Sequence, residues 1–119
     1  MADILIVDDD VNLLRIFSRV LEKSGFHVDT CDNGDDAMTL ASSRMFDLVI
    51  MDISMPGISG LEAVRTINYS NPNQKIVIFS AYTTDQAMKE ELKALNVVDI
   101  LQKPLSPAQL SDRVRELIT

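Results

Sequence analysis

The sequence predicts a doubly wound α/β domain, a five-stranded parallel sheet with helices on both faces. Three observations lead there. Short β-branched apolar runs recur at "ILIV" (4–7), "DLVIM" (47–51), "KIVIF" (75–79) and "VVDIL" (97–101). Such continuous runs mark strands buried on both faces, the hallmark of a parallel sheet. Segments with helical periodicity separate them, and no repeat, linker or low-complexity stretch interrupts the alternation, so five βα units follow one another.

The first strand, 4–7, runs straight into Asp8, Asp9 and Asp10. Asp10 stands where a helix cap is needed, before the stripe Leu13, Leu14, Phe17, Val20 and Leu21, and Gly25 ends that helix. "FHVDT" (26–30) alternates in polarity, which predicts an edge strand with one face in water. Ala37, Leu40 and Ala41 form the second helical stripe, and Leu61, Val64 and Ile67 the third. Between them, Pro56 and Gly57 predict a turn, and Gly60 eases the helix start or a close approach. Met88, Leu92 and Leu95 form the fourth stripe, with Asn96 as a left-handed terminator. The last helix begins with Ser106 as cap, Pro107 at its first position and Gln109 as capping-box partner, and carries Leu110, Val114, Leu117 and Ile118.

Composition bounds the setting. The 119 residues fit one domain, 1–119, and a hydrophobic fraction of 46% supports a real core. A net charge of −7 argues against direct nucleic-acid binding or an anionic membrane surface. No apolar run reaches membrane-spanning length, and the lone Cys31 suits a reducing compartment, so a cytoplasmic location is expected. His27, on the edge strand, is expected at the surface, and Cys31 carries no redox role.

Chemistry gathers at one edge. The first strand ends at Asp8 and Asp9, the third at Asp52, the fourth at Ser80 and the fifth near Lys103. Parallel strands bring all five to the carboxyl edge, where such folds bind their ligands. Three carboxylates with one lysine repel, and a divalent cation relieves them; oxygen ligands suit Mg²⁺. A cation beside a carboxylate, a hydroxyl and an ammonium points to phosphoryl transfer onto a carboxylate nucleophile.

The four motifs "VDDD" (7–10), "MDISMPGISG" (51–60), "SA" (80–81) and "KP" (103–104) stand in that order, each at a strand end. With them the whole chain resembles the receiver domain of bacterial two-component response regulators. The resemblance implies a flavodoxin-like sheet of strand order 2-1-3-4-5 with five helices. It implies that a histidine kinase or phosphotransfer protein donates a phosphoryl group to Asp52. Mg²⁺ would be held by Asp9, Asp52 and the Ser54 backbone carbonyl, with Asp8 behind them or binding through water. Ser80 would be the switch hydroxyl and Lys103 the phosphoryl contact, with a cis bond to Pro104. The domain would then be a signalling phosphoacceptor rather than an enzyme, promoting its own phosphorylation and dephosphorylation. Its loop 80–85, fourth helix and fifth strand would control an output domain or partner, with a homodimer through the fourth helix, fifth strand and fifth helix as one mode.

Some positions depart from the family pattern. Ile100 replaces a usual Tyr or Phe, Leu105 a common Phe, and Asn96-Val97 a usual Gly-Ala. The readout face is therefore expected to be individual. Ser54 and Tyr82 flank the site, and Tyr82 is expected to shield the phosphoryl group from water. A phosphorylation-independent binding module on the same fold is the alternative. A flavoprotein would need a phosphate-cradling loop where "DDD" stands. An aspartyl phosphatase would place its nucleophile after the first strand, not the third.

Overall fold

The computed structural model describes residues 1–54, 60–81 and 86–118. Its elements alternate without exception: β1 (Asp3–Val7), α1 (Val11–Lys23), β2 (His27–Cys31), α2 (Gly34–Ser43), β3 (Leu48–Asp52), α3 (Gly60–Ser70), β4 (Ile76–Ser80), α4 (Gln86–Ala94), β5 (Val97–Gln102) and α5 (Pro107–Ile118). All strand pairs are parallel, in the order β2-β1-β3-β4-β5. The doubly wound α/β fold and its strand order are as expected. Strand bounds move by a residue or so from the sequence reading.

The pleat divides the core in two. Leu5, Val7, Val49, Met51, Ile76 and Ile78 pack against α2, α3 and α4, where Ala37, Ala41, Ala63, Val64, Ile67 and Leu92 are buried. Ile4, Ile6, Leu48, Ile50, Val77 and Phe79 face α1 and α5, meeting Leu14, Phe17, Leu21, Leu110 and Val114. Every residue of β3 and β4 is buried, which is why those runs carry no polar alternation.

The expectation of burial on both faces fails for the fifth run. β5 is the sheet's second edge and only partly buried, because it has a neighbour on one side alone. A register shift between Ile76 and Val77 opposes Val97 to the first and Asp99 to the second, and the intervening Val98 is 40% exposed. β2 is the other edge, as its alternation indicated.

The punctuation follows the local chemistry. The Asp10 side chain accepts from the backbone N–H of Asn12 and Leu13, capping α1. Gly25 closes that helix at φ +97°, with the Phe26 N–H reaching back to the Leu21 carbonyl. Asn96 takes the left-handed conformation at φ +66° after α4. Ser106 and Gln109 exchange reciprocal side-chain to backbone bonds at 3.0 and 3.1 Å, a complete capping box. Pro56, Gly57 and Tyr82 lie outside the described residues.

Candidate functional site

Register builds the site. Val7 pairs with Met51 across β1 and β3, so Asp8, one step on, comes abreast of Asp52. Asp52 in turn pairs with Phe79, and Ser80 with Gln102, which puts Ser80 and Lys103 one step beyond on β4 and β5. The Lys103 N–H donates to the Ser80 carbonyl at 2.7 Å, tying the two strand ends together.

Carboxylate oxygens of Asp8, Asp9 and Asp52 lie within 4.8 Å of one another. Asp8 and Asp52 are each 2% exposed, while Asp9 is exposed to solvent. The Lys103 ammonium donates to Asp8 Oδ2 at 2.8 Å and to Asp52 Oδ2 at 3.2 Å, and stands 5.2 Å from the centre of the Phe79 ring. The remaining Asp8 oxygen accepts the Asp10 N–H at 2.9 Å, so the helix cap also serves the site. Ser80 is fully buried at the end of β4. The Lys103–Pro104 peptide is cis.

The electrostatics follow from one cation among three acids. Burial pushes the Asp8 carboxyl above the usual carboxylate range; the Asp52 charge adds to this, and the bonds from Lys103 and the Asp10 N–H pull it back. Burial works against the Lys103 ammonium, yet its bond to Asp8 and the charges of Asp52 and Asp8 override it and raise its value. Hard oxygen donors at this spacing, with less positive charge than negative, fit Mg²⁺ by their chemistry.

Two features were beyond or only half within reach of the sequence. Ser54 bonds the Asp52 carboxylate directly, through its N–H at 2.9 Å and its hydroxyl at 2.7 Å, both onto Oδ1. The spacing Asp-x-Ser, which allows a side chain to meet the second N–H along, was the available signal. Gly60 was expected to allow a close approach, and a Cβ there would lie 2.3 Å from the Asp52 carbonyl oxygen and 2.4 Å from the Ile53 Cα. The start of α3 thus rests on the backbone of the site, which only glycine permits.

Other singled-out residues lie elsewhere. His27 is half exposed at the opposite sheet end, 3.1 Å from Asp3. Cys31 is buried, and burial, helped by Asp36, Asp29 and Asp32, pushes its thiol up to about 11, a protonated and unreactive state at neutral pH. Ile100 packs at the edge of the core facing α4, and Leu105 at the edge of the opposite core.

A family model described as the response regulator receiver domain matches residues 4–115. The transcriptional regulatory protein ZraR of Klebsiella oxytoca is 36% identical over 104 residues, 87% of this chain and 23% of ZraR. The probable transcriptional regulatory protein SilR of Salmonella typhimurium is 35% identical over 115 residues, 97% of this chain and 50% of SilR. The chain thus spans half or less of the length of these relatives. The solved structure of response regulator protein TrrA from Thermotoga maritima, in complex with Mg²⁺–BeF, superposes with a TM-score of 0.82 at 33% identity, covering 98% of this chain and 99% of that one.

Proposed function

This chain belongs to the response regulator receiver domain family, phosphorylation-activated signalling switches, and from that premise we propose that Asp52 is its phosphoacceptor. The observation that carries the assignment is the Asp52 carboxylate itself: 2% exposed, beside Asp8 and Asp9, and in contact with Lys103. In the proposed transfer an Asp52 oxygen attacks phosphorus and forms the acyl phosphate bond. The bond from phosphorus to the donor's imidazole nitrogen breaks, and its electron pair leaves with the imidazole.

Receiver domains bind Mg²⁺ at an acidic site of this kind, and here Asp9, Asp52 and the Ser54 backbone carbonyl would hold it, with Asp8 contributing through water. When bound, Mg²⁺ neutralises charge developing on the transferred oxygens. Lys103 reaches the acceptor carboxylate without moving from its strand end and would pair with the added charge of about −1.5 to −2. Ser80, fixed by β4 one residue beyond the partner of Asp52, would supply the hydroxyl that follows that charge. Shifting a two-state element from 1:99 to 99:1 takes about 5.5 kcal/mol, which a few charge-assisted bonds in a buried pocket can supply.

Within the same reading, residues 1–119 act as one receiver unit that signals without being a separate enzyme. A histidine kinase or phosphotransfer protein supplies the phosphoryl group in the cytoplasm; no helix among the described residues is long and apolar enough to cross a membrane. A downstream domain, or a second copy of the chain, would meet the α4–β5–α5 face, where Val98 is 40% exposed. Intact mass after incubation with Mg²⁺ and acetyl phosphate tests the core of this reading. One added phosphoryl group is expected on the parent and none on Asp52→Asn; no adduct on a folded, Mg²⁺-binding parent would overturn it.

A further inference from the structure

We propose that the Ser54 hydroxyl is a built-in competitor for the cation, a positioning residue that occupies the lone pair of Asp52 a metal would take. The inference rests on the reading of Asp52 as a metal-binding acceptor and goes beyond it. A carboxylate offers about four lone-pair directions. Among the described residues three are filled: two on Oδ1 by the Ser54 N–H at 2.9 Å and hydroxyl at 2.7 Å, one on Oδ2 by Lys103 at 3.2 Å. Asp52 is 2% exposed, so these donors rather than bulk water satisfy its charge. The fourth direction, on Oδ2, lies beside the Lys103 ammonium, whose positive charge repels a divalent cation, so a cation is directed to Oδ1, where it must displace a donor. The backbone N–H is fixed by the chain beyond β3, whereas the hydroxyl needs only to rotate about one bond in an exposed residue. A hydroxyl bond to a carboxylate at this length is charge-assisted, and its rupture subtracts from cation binding.

The test is calorimetric titration of the unphosphorylated protein with MgCl₂, comparing the parent with Ser54→Ala and Ser54→Thr. All retain the residue-54 carbonyl. Ser54→Ala is expected to bind about ten- to a hundredfold more tightly, the factor a hydrogen bond to a charged group supplies. Ser54→Thr, which keeps the hydroxyl, should match the parent. Equal or weaker binding by Ser54→Ala overturns the proposal, as does equal tightening by Ser54→Thr. Asp52→Asn separates the two layers: if it binds Mg²⁺ as the parent does, or if the folded parent binds none, the metal reading of Asp52 falls and this inference with it.

Discussion

Two acidic clusters occupy opposite ends of the same sheet. At the carboxyl end stand Asp8, Asp9 and Asp52 with Lys103; at the amino end stand Asp3, Asp29 and Asp47 with His27 and Arg44. In the second cluster Arg44 lies 3.1 Å from Asp29 and His27 3.1 Å from Asp3, and Asp47 Oδ2 accepts the Asp3 N–H at 2.6 Å. The paired side chains there are 33–53% exposed, so water carries much of their charge, save at Asp29 Oδ2, which is itself buried and faces Arg44. At the carboxyl end two of the acids are 2% exposed and share one lysine. Composition is nearly the same; burial decides. Where water reaches, acids are an ordinary surface, and where it does not, the same acids become a site that holds unbalanced charge.

The comparison breaks most visibly at Lys103. Lys103→Met leaves Asp8 and Asp52 buried without their cation, and a loss of about 3–5 kcal/mol is expected. Thermal unfolding should show a fall of 10 °C or more, on the order of 4–8 °C per kcal/mol, with part recovered in Mg²⁺. A change below about 1 kcal/mol would mean the pocket is wetter than its burial indicates.

The next effect has the opposite sign. The Asp8 carboxyl is raised above its ordinary 3.8, so the folded state holds that proton more firmly than the unfolded state. The contribution to stability is therefore present below the ordinary value and lost as pH rises through the folded one. Asp8→Asn should abolish that loss while leaving Lys103 with Asp52. At pH 7 without metal the variant should be more stable than the parent, and its denaturant midpoint should vary less between pH 4 and 7.

At the amino end the effects shrink. Arg44→Ala should lose under about 1 kcal/mol, and the loss should fade in about 1 M salt, where charges are screened within roughly 3 Å. His27→Gln should stay within about 0.5 kcal/mol of the parent by urea denaturation. A larger loss from either would mean that this cluster, too, is structural.

Much of this was legible in sequence because it is local. Buried strands announce themselves by unbroken apolar runs, and the caps at Asp10 and Ser106 by residue type and spacing. The site's residues were legible for a further reason: parallel order places every strand's last residue at one edge, so Asp8, Asp52, Ser80 and Lys103 could be gathered without coordinates. β5 was misread because an apolar run reports hydrophobicity and not how many neighbours a strand has. The Ser54 hydroxyl bond was unread because rotamer choice leaves no trace in the chain. The contact of Lys103 with the Phe79 ring was hidden likewise, since Phe79 looks like any strand residue.

Lys103 also sets an order in time. It lies 51 positions after Asp52 and 95 after Asp8. At about 5–20 residues per second, a ribosome adds Asp52 roughly 3–10 s, and Asp8 roughly 5–19 s, before it supplies their counter-ion. A nascent chain therefore holds its acidic half without the ammonium that joins the strand ends, and the charged centre closes only once the fifth unit has docked. The charged centre is thereby tied to completion of the fold, since a partly made copy lacks the cation around which Asp8 and Asp52 gather.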